Sequence, residues 1–257
     1  VKLAFSSTTE GDGKVLHFLE GSSRPVQDGE TIRLDRPELW WPAGFGPQRL
    51  HALRSLFVTE EALARGDIES AVLDAREARL GLRSLRLVRQ AHAHGESFHF
   101  VVNGRPLWAV GANWIPDHSF PSIVGRERLR ARLSAARDLN MNMLRVWGGG
   151  IYETDEFYDL CDELGLLVWQ DFPYACSYYP DDAASQAVAR DEARAAVRRL
   201  RNHASLALWC GNNENLTMWE DKWGDAARHP PRYYGERLYD EVLPEVVREL
   251  DPERPYI

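Results

Sequence analysis

The chain has 257 residues, 44% hydrophobic and 27% charged, with 39 acidic against 31 basic side chains and a formal charge of −8. That length suffices for one large domain or two ordinary ones, and burial of roughly 75% of the unfolded surface supports a sizeable core. No apolar run nears the ~18 residues that span a membrane, the amino terminus lacks the regions of a signal peptide, and the acidic balance argues against a nucleic-acid partner.

In chain order, the first ninety residues carry short alternating segments such as KVLHFL (14–19), TIRL (31–34) and LGLRSLRLV (80–88), separated by Gly, Pro and Asp. This texture predicts a β-sandwich over residues 1–97. One stretch conflicts: residues 60–79, EEALARGDIESAVLDAREAR, consist of strong helix formers, so propensity alone makes them helical. The polar stretch 91–97 reads as a link. Beyond it, Asn103-Gly104 sits between two apolar runs, a strong short-range hairpin signal.

From there, strand and helix patterns alternate over residues 98–257. A helix is expected over 126–139, with Leu129, Leu133, Ala136 and Leu139 at helical spacing; its RERLRARL run reads as an exposed face with a leucine stripe turned inward. A short strand follows at 143–147. A second helix runs from Thr154 as N-cap to Gly165 as C-cap, then a strand at 166–171. Asp181-Asp182 reads as a solvated loop. A third helix carries Ala189, Ala193, Val197 and Leu200; His203 packs or caps; a strand spans 206–210. A fourth helix carries Leu238, Val242, Val246 and Leu250, and Pro244 inside it should kink or restrict it. Repeated units of this kind predict a parallel sheet, doubly wound or closed as a (β/α)8 TIM barrel. WGGGIYE lacks the spacing of a phosphate-binding loop, which weakens a nucleotide-binding reading.

Parallel α/β folds gather their sites at the carboxyl ends of strands. There stand Asn113 and Trp114, then Arg145 and Trp147, then Gln170 and Asp171, and finally Asn213 and Glu214 in ALWCGNNEN. Amides, an arginine, carboxylates and indoles together suit a polyhydroxylated ligand, since aromatic faces stack on sugar rings while polar groups read hydroxyls. Each has a plainer reading: Glu214 as a first-turn acid behind an Asn cap, Arg145 as an ion-pair partner, Trp147 as core, Asp171 as a turn residue. Cys161, Cys176 and Cys210 have no metal-ligand spacing and read as buried thiols; no metal or cofactor is expected.

Five motifs carry a resemblance: LWWPAGFGPQRL, LGLRSLRLV, FHFVVNGRPLWAVGANWIP, the long run from NMNMLRVWGGG to DFPYAC, and NHASLALWCGNNEN. With them the chain resembles the β-mannosidases of glycoside hydrolase family 2. The resemblance implies an immunoglobulin-like sandwich over 1–97 and, over 98–257, about strands one to five of the catalytic barrel. It implies Glu214 as general acid/base, Asn213 as the amide that meets the sugar 2-hydroxyl, Trp147 as a wall of the sugar site and Arg145 as partner of the nucleophilic carboxylate. Asn113, Trp114 and Asp171 would line the same pocket. The implied substrate is a β-mannoside or manno-oligosaccharide, cleaved with retention and without a cofactor. Other family 2 exo-glycosidases, acting on galactosides, glucuronides or glucosaminides, and a non-catalytic carbohydrate-binding fragment are the alternatives. One departure stands in NWIPDHSF, where the family commonly reads NWIPADSF, so that Asp117 and His118 are displaced from the pattern. The family's nucleophile follows strand seven, so residues 1–257 alone are expected to be inactive and to aggregate, oligomerise or need a second chain carrying the rest of the barrel.

Overall fold

The computed structural model describes residues 1–257 except 23, 67, 69–71 and 224–228. The chain forms two compact units: residues 1–40 with 49–82, and residues 41–48 with 83–257. No helix among the described residues is long and apolar enough to cross a membrane.

The first unit is antiparallel β. Lys2–Ala4 pairs with Thr31–Arg33, and a four-stranded sheet runs in the order Val26–Gln27, Lys14–Leu19, His51–Val58, Val72–Leu80. Apolar side chains on alternate positions form two small clusters, one around Phe5, Leu19 and Val26 and one around Leu16, Leu56 and Val58. The conflict over 60–79 resolves into both states. Glu60–Arg65 is a short helix and Val72–Leu80 is a strand, with residues 67 and 69–71 outside the described set. Pairing along His51–Val58 satisfies the backbone of this mostly exposed, charged edge strand, so sheet contacts override helix propensity.

The division between units falls at Leu82/Arg83, upstream of the expected boundary near 97. Leu85–Val88 pairs with His99–Val102, which pairs with Arg105–Leu107, so the segment after 82 belongs to the second unit's own three-stranded sheet. The expected polar link is a small ribbon, Ala91–His92 with Gly95–Glu96. Asn103-Gly104 forms the expected hairpin turn, both residues at positive φ (49° and 79°).

Four parallel strands follow in sequential order: Gly111–Trp114, Met143–Val146, Leu167–Asp171 and Leu206–Cys210. Sequential order with no reversal is barrel topology rather than a doubly wound sheet. Tyr256 adds a parallel bridge to Trp209, with Trp209 N–H donating to Pro255 O at 3.0 Å and Ile257 N–H to Trp209 O at 3.0 Å. The helices Arg126–Asp138, Asp155–Leu164, Ala183–Leu200 and Leu243–Leu250 connect and cover the strands. Leu129, Leu133, Phe157, Leu160, Ala193, Val197, Val246 and the strand residues Leu144, Val146, Val168 and Leu206 share one apolar core.

Local chemistry sets the helix ends. Thr154 occupies the N-cap position of Asp155–Leu164 in extended backbone, without a capping hydrogen bond from its side chain, and Gly165 is the left-handed C-cap at φ 75°. A side chain at Gly165 would also meet Ala43 N at 2.6 Å, so both conformation and space demand glycine. Asp181 and Asp182 are not a solvated loop. Asp182 caps Ala183–Leu200 by accepting from Ala184 N and Ser185 N at 2.9 and 3.1 Å, and buried Asp181 pairs with Arg232 at 2.8 Å. Pro244 breaks no helix but distorts one, as expected: the helical backbone is continuous across Val242 and Leu243, and the π-helical segment Leu238–Val242 directly before the proline accommodates its missing N–H and its ring.

Candidate active site

Strand alternation decides which predicted residues meet. Side chains on a strand point alternately to opposite faces, and the first three parallel strands share one phase, while the fourth pairs with the third through a register shift at Val168/Trp169. On Met143–Val146, Val146 joins the core beneath the helices while Arg145 faces the other way. On Leu167–Asp171, Gln170 accepts from Tyr158 Oη at 2.7 Å on the helix side, which leaves Trp169 and Asp171 on the side of Arg145. On Gly111–Trp114, Asn113 takes the Arg145 side, with Oδ1 3.5 Å from Nη1.

Arg145 is the hub. Nε and Nη2 donate to Asp171 Oδ1 and Oδ2 at 3.1 and 2.7 Å, a bidentate pair, and Nη2 also donates to Asn213 Oδ1 at 2.9 Å. Its guanidinium lies over the Trp169 ring, 5.6 Å from the centroid. Asp171 is fully buried and receives two further donors, Gly148 N–H at 3.0 Å and Trp169 Nε1–H at 3.0 Å. Burial pushes its carboxyl above the ordinary range; the hydrogen bonds and charge of Arg145 and the Gly148 amide act against that rise. With its oxygens held by these donors, Asp171 orients Arg145, and through it the amide of Asn213.

The NNEN segment after the fourth strand divides its labour. Asn212 Oδ1 accepts from Asn215 N at 3.3 Å, closing the start of the short helix Asn215–Glu220. Asn213 is buried against Arg145, and Asn215 donates to Tyr239 Oη at 2.7 Å. Glu214 caps nothing with its side chain; it is exposed, in left-handed backbone at φ 62°. A non-glycine residue adopts that conformation at a cost of order 1–3 kcal/mol when surrounding structure imposes it. Glu214 therefore stands at the N-cap position, one residue before the first turn that the plainer reading gave it, while Asn212 supplies the expected Asn contact to the helix start.

Two expectations are corrected. Trp114 does not join the Arg145 cluster: its indole N–H donates to Glu153 Oε1 at 2.9 Å and its ring packs on Phe157 at 5.0 Å, on the helix side of the sheet. Cys176 is not a buried thiol. It is exposed, at φ 48°, with Sγ 3.3 Å from Glu214 Oε2 and 3.3 Å from Asn213 Nδ2. Cys161 and Cys210 are buried.

Trp147 is half-buried, and its ring lies where a side chain at Gly149 would have to stand, 1.9 Å from the nearest ring atom. Asp117 binds Arg128 and Arg132, and the Arg128 hydrogen bond holds its carboxyl below the usual range. Trp169 is the member of the cluster that the sequence motifs did not single out; the two-residue period from Asp171 was the signal for it.

Asp159, Asp162 and His203 offer ligand atoms within 4.8 Å of one another. Asp162 accepts from Ser205 N at 2.7 Å and meets His203 Nδ1 at 2.7 Å, so these groups pin the entry of the fourth strand, the end opposite Glu214.

Residues 96–256 match the glycosyl hydrolases family 2, TIM barrel domain. The chain is 39% identical over 255 residues to a beta-mannosidase of Bos taurus, covering 94% of this chain and 28% of that protein. It is 41% identical over 245 residues to a beta-mannosidase of Rattus norvegicus, covering 93% and 27%. The crystal structure of beta-D-mannosidase from Dictyoglomus thermophilum aligns with a TM-score of 0.82 at 40% identity, over 95% of this chain and 30% of that one. The chain thus spans under a third of the length of these relatives. Sequential parallel strands, a site at their carboxyl ends and a barrel-domain match from 96 to 256 lead to one assignment: the chain belongs to glycosyl hydrolases family 2.

Proposed function

We propose that the protein carrying this chain removes terminal β-mannosyl residues from β-mannosides with retention of configuration, with Glu214 as general acid and then general base. The observation that carries this reading is Glu214 itself: an exposed glutamate held in left-handed backbone directly after the fourth parallel strand, beside an asparagine whose amide is fixed by Arg145. Identity of 39% and 41% to beta-mannosidases supports the mannoside as substrate.

In the forward step Glu214 gives its proton to the glycosidic oxygen as the bond to the anomeric carbon breaks; it then takes a proton from the water that releases the sugar. Asn213, with Oδ1 occupied by Arg145, presents Nδ2–H to the sugar 2-hydroxyl. Asn113 and Trp147 border the same sugar.

Retention needs a nucleophilic carboxylate roughly 5 to 5.5 Å from the acid. Asp171 does not supply it, because its oxygens are buried and held by Arg145, Gly148 and Trp169. We assign the nucleophile to sequence outside residues 1–257 and expect this chain alone to give no turnover. We also assign the antiparallel first unit to an immunoglobulin-like sandwich, supported by its paired sheets and internal clusters.

The test is hydrolysis of 4-nitrophenyl β-D-mannoside by the complete gene product, beside the matching galactoside, glucuronide and glucosaminide. The mannoside should be preferred, and Glu214→Gln should lower its turnover by about 10²- to 10⁴-fold, the usual worth of general acid–base catalysis. Preference for another glycoside, or an undiminished Glu214→Gln variant, refutes the reading.

A further inference from the structure

Cys176 has no part in the chemistry above, yet it lies against both residues that do. The chain leaving the third strand through Phe172 and Pro173 turns back, and Ala175 forms a parallel bridge with Asn213. Asn213 N–H donates to Tyr174 O at 2.8 Å and Cys176 N–H to Asn213 O at 3.0 Å. These bonds carry the pairing of the third and fourth strands past their ends and set residue 176 level with residue 214. Cys176 and Glu214 both occupy left-handed backbone, φ 48° and 62°. Two adjacent non-glycine residues are held there only where the surroundings over-determine the conformation.

The side chains then form a continuous chain of hydrogen bonds. It runs from buried Asp171 to Arg145, from Arg145 Nη2 to Asn213 Oδ1 at 2.9 Å, from Asn213 Nδ2 to Cys176 Sγ at 3.3 Å, and from Cys176 Sγ to Glu214 Oε2 at 3.3 Å. In this chain the thiol accepts from the amide and donates its S–H to the carboxylate.

We propose that Cys176 is a positioning residue for Glu214: its S–H, oriented by Asn213, fixes the carboxyl against the scissile oxygen. The inference rests on the reading of Glu214 as acid/base. Burial and the Glu214 carboxylate push the thiol above its ordinary 9.0, which keeps the proton on sulfur at neutral pH. A retained proton suits a hydrogen-bond donor, whereas nucleophilic or redox use needs the thiolate. The other thiols cannot substitute: Cys161 lies in the apolar core, and Cys210 is buried with Sγ donating to Asn212 O at 3.3 Å.

The experiment uses the complete protein and 4-nitrophenyl β-D-mannoside. Cys176→Ala should lower kcat roughly fivefold, the equivalent of one weak hydrogen bond to a charged group, with little change in KM. Cys176→Ser keeps a donor at the same point and should recover most of the lost kcat, a rescue that a packing role would not require. Iodoacetamide should inactivate the parent protein more slowly when mannose is present, and whatever activity Cys176→Ser has should resist it. That arm stands if Cys176→Ala does not fold. An undiminished kcat in Cys176→Ala, a loss in Cys176→Ala that Cys176→Ser does not recover, or equal sensitivity of parent and Cys176→Ser to the reagent, overturns the inference. Loss of activity in Glu214→Gln with no effect at Cys176 sinks the inference alone; retention of activity in Glu214→Gln sinks the underlying reading and this inference with it.

Discussion

Replacing Arg145 by Met removes the hub charge while keeping most of the side-chain volume. The Asp171 side chain is fully inaccessible and that of Arg145 is 24% accessible, so the loss strands a buried carboxylate with the neutral donors Gly148 N–H, Trp169 Nε1–H and the Cys210 thiol. Breaking a buried pair from one side costs about 3–5 kcal/mol; the partial exposure of Arg145 places this pair near the lower end, about 3 kcal/mol at neutral pH. Burial already holds Asp171 above its ordinary 3.8, and removal of Arg145, whose hydrogen bonds and charge oppose that rise, lifts it further. The folded variant then binds the proton more tightly than the unfolded chain. Its stability therefore rises as pH falls through the new folded value toward 3.8, and the gap to the parent narrows by up to about 1.4 kcal/mol per pH unit in that window. Urea unfolding followed by tryptophan fluorescence at a series of pH values from 7.5 downward reads both quantities. A loss under about 1 kcal/mol at pH 7.5, or one that does not narrow at any lower pH at which the chain stays folded, refutes an uncompensated Asp171 charge.

Other expectations follow from single contacts. Gly148→Ala would set a methyl 2.5 Å from Phe172 O and 3.2 Å from Asp171 Cβ, so overpacking should cost about 1–3 kcal/mol and lower the melting temperature; an unchanged Tm counts against the geometry. Asp182→Ala leaves Ala184 N and Ser185 N without their cap and should cost about 1 kcal/mol in urea titration, with Asp182→Ser recovering most of it. The first parallel strand is a sheet edge, with Trp108 80%, Phe120 68% and Ile123 63% exposed nearby, so the 257-residue chain should self-associate at micromolar concentration. Sedimentation velocity showing a stable monomer at that concentration would contradict this.

What was legible in the sequence is what short-range physics controls. Leu129 and Leu133 at helical spacing, Thr154 and Gly165 as caps, and Asn103-Gly104 as a turn each act within a few residues, and each stands where the pattern put it. The order of strand and helix units foretold the parallel sheet, and with it the position of Glu214 at a strand end. Residues 72–80 were illegible because their helix propensity is local while the partner strand that overrides it lies twenty residues upstream.

Tertiary structure alone decided the membership of the site. Which of two neighbouring strand residues faces the barrel interior is a matter of phase, and a shift of one residue exchanges the faces. Asn113 and Trp114 are adjacent in sequence, yet one meets Arg145 and the other packs on Phe157. Cys176 stands 38 residues from Glu214 along the chain, and only the bridge between Ala175 and Asn213 brings them together. By itself the sequence determined the periods, the caps, the turn and the glutamate after the fourth strand. The fold determined the phase of each strand and the return of the loop that sets a thiol against that glutamate, because both depend on contacts between residues far apart in the chain.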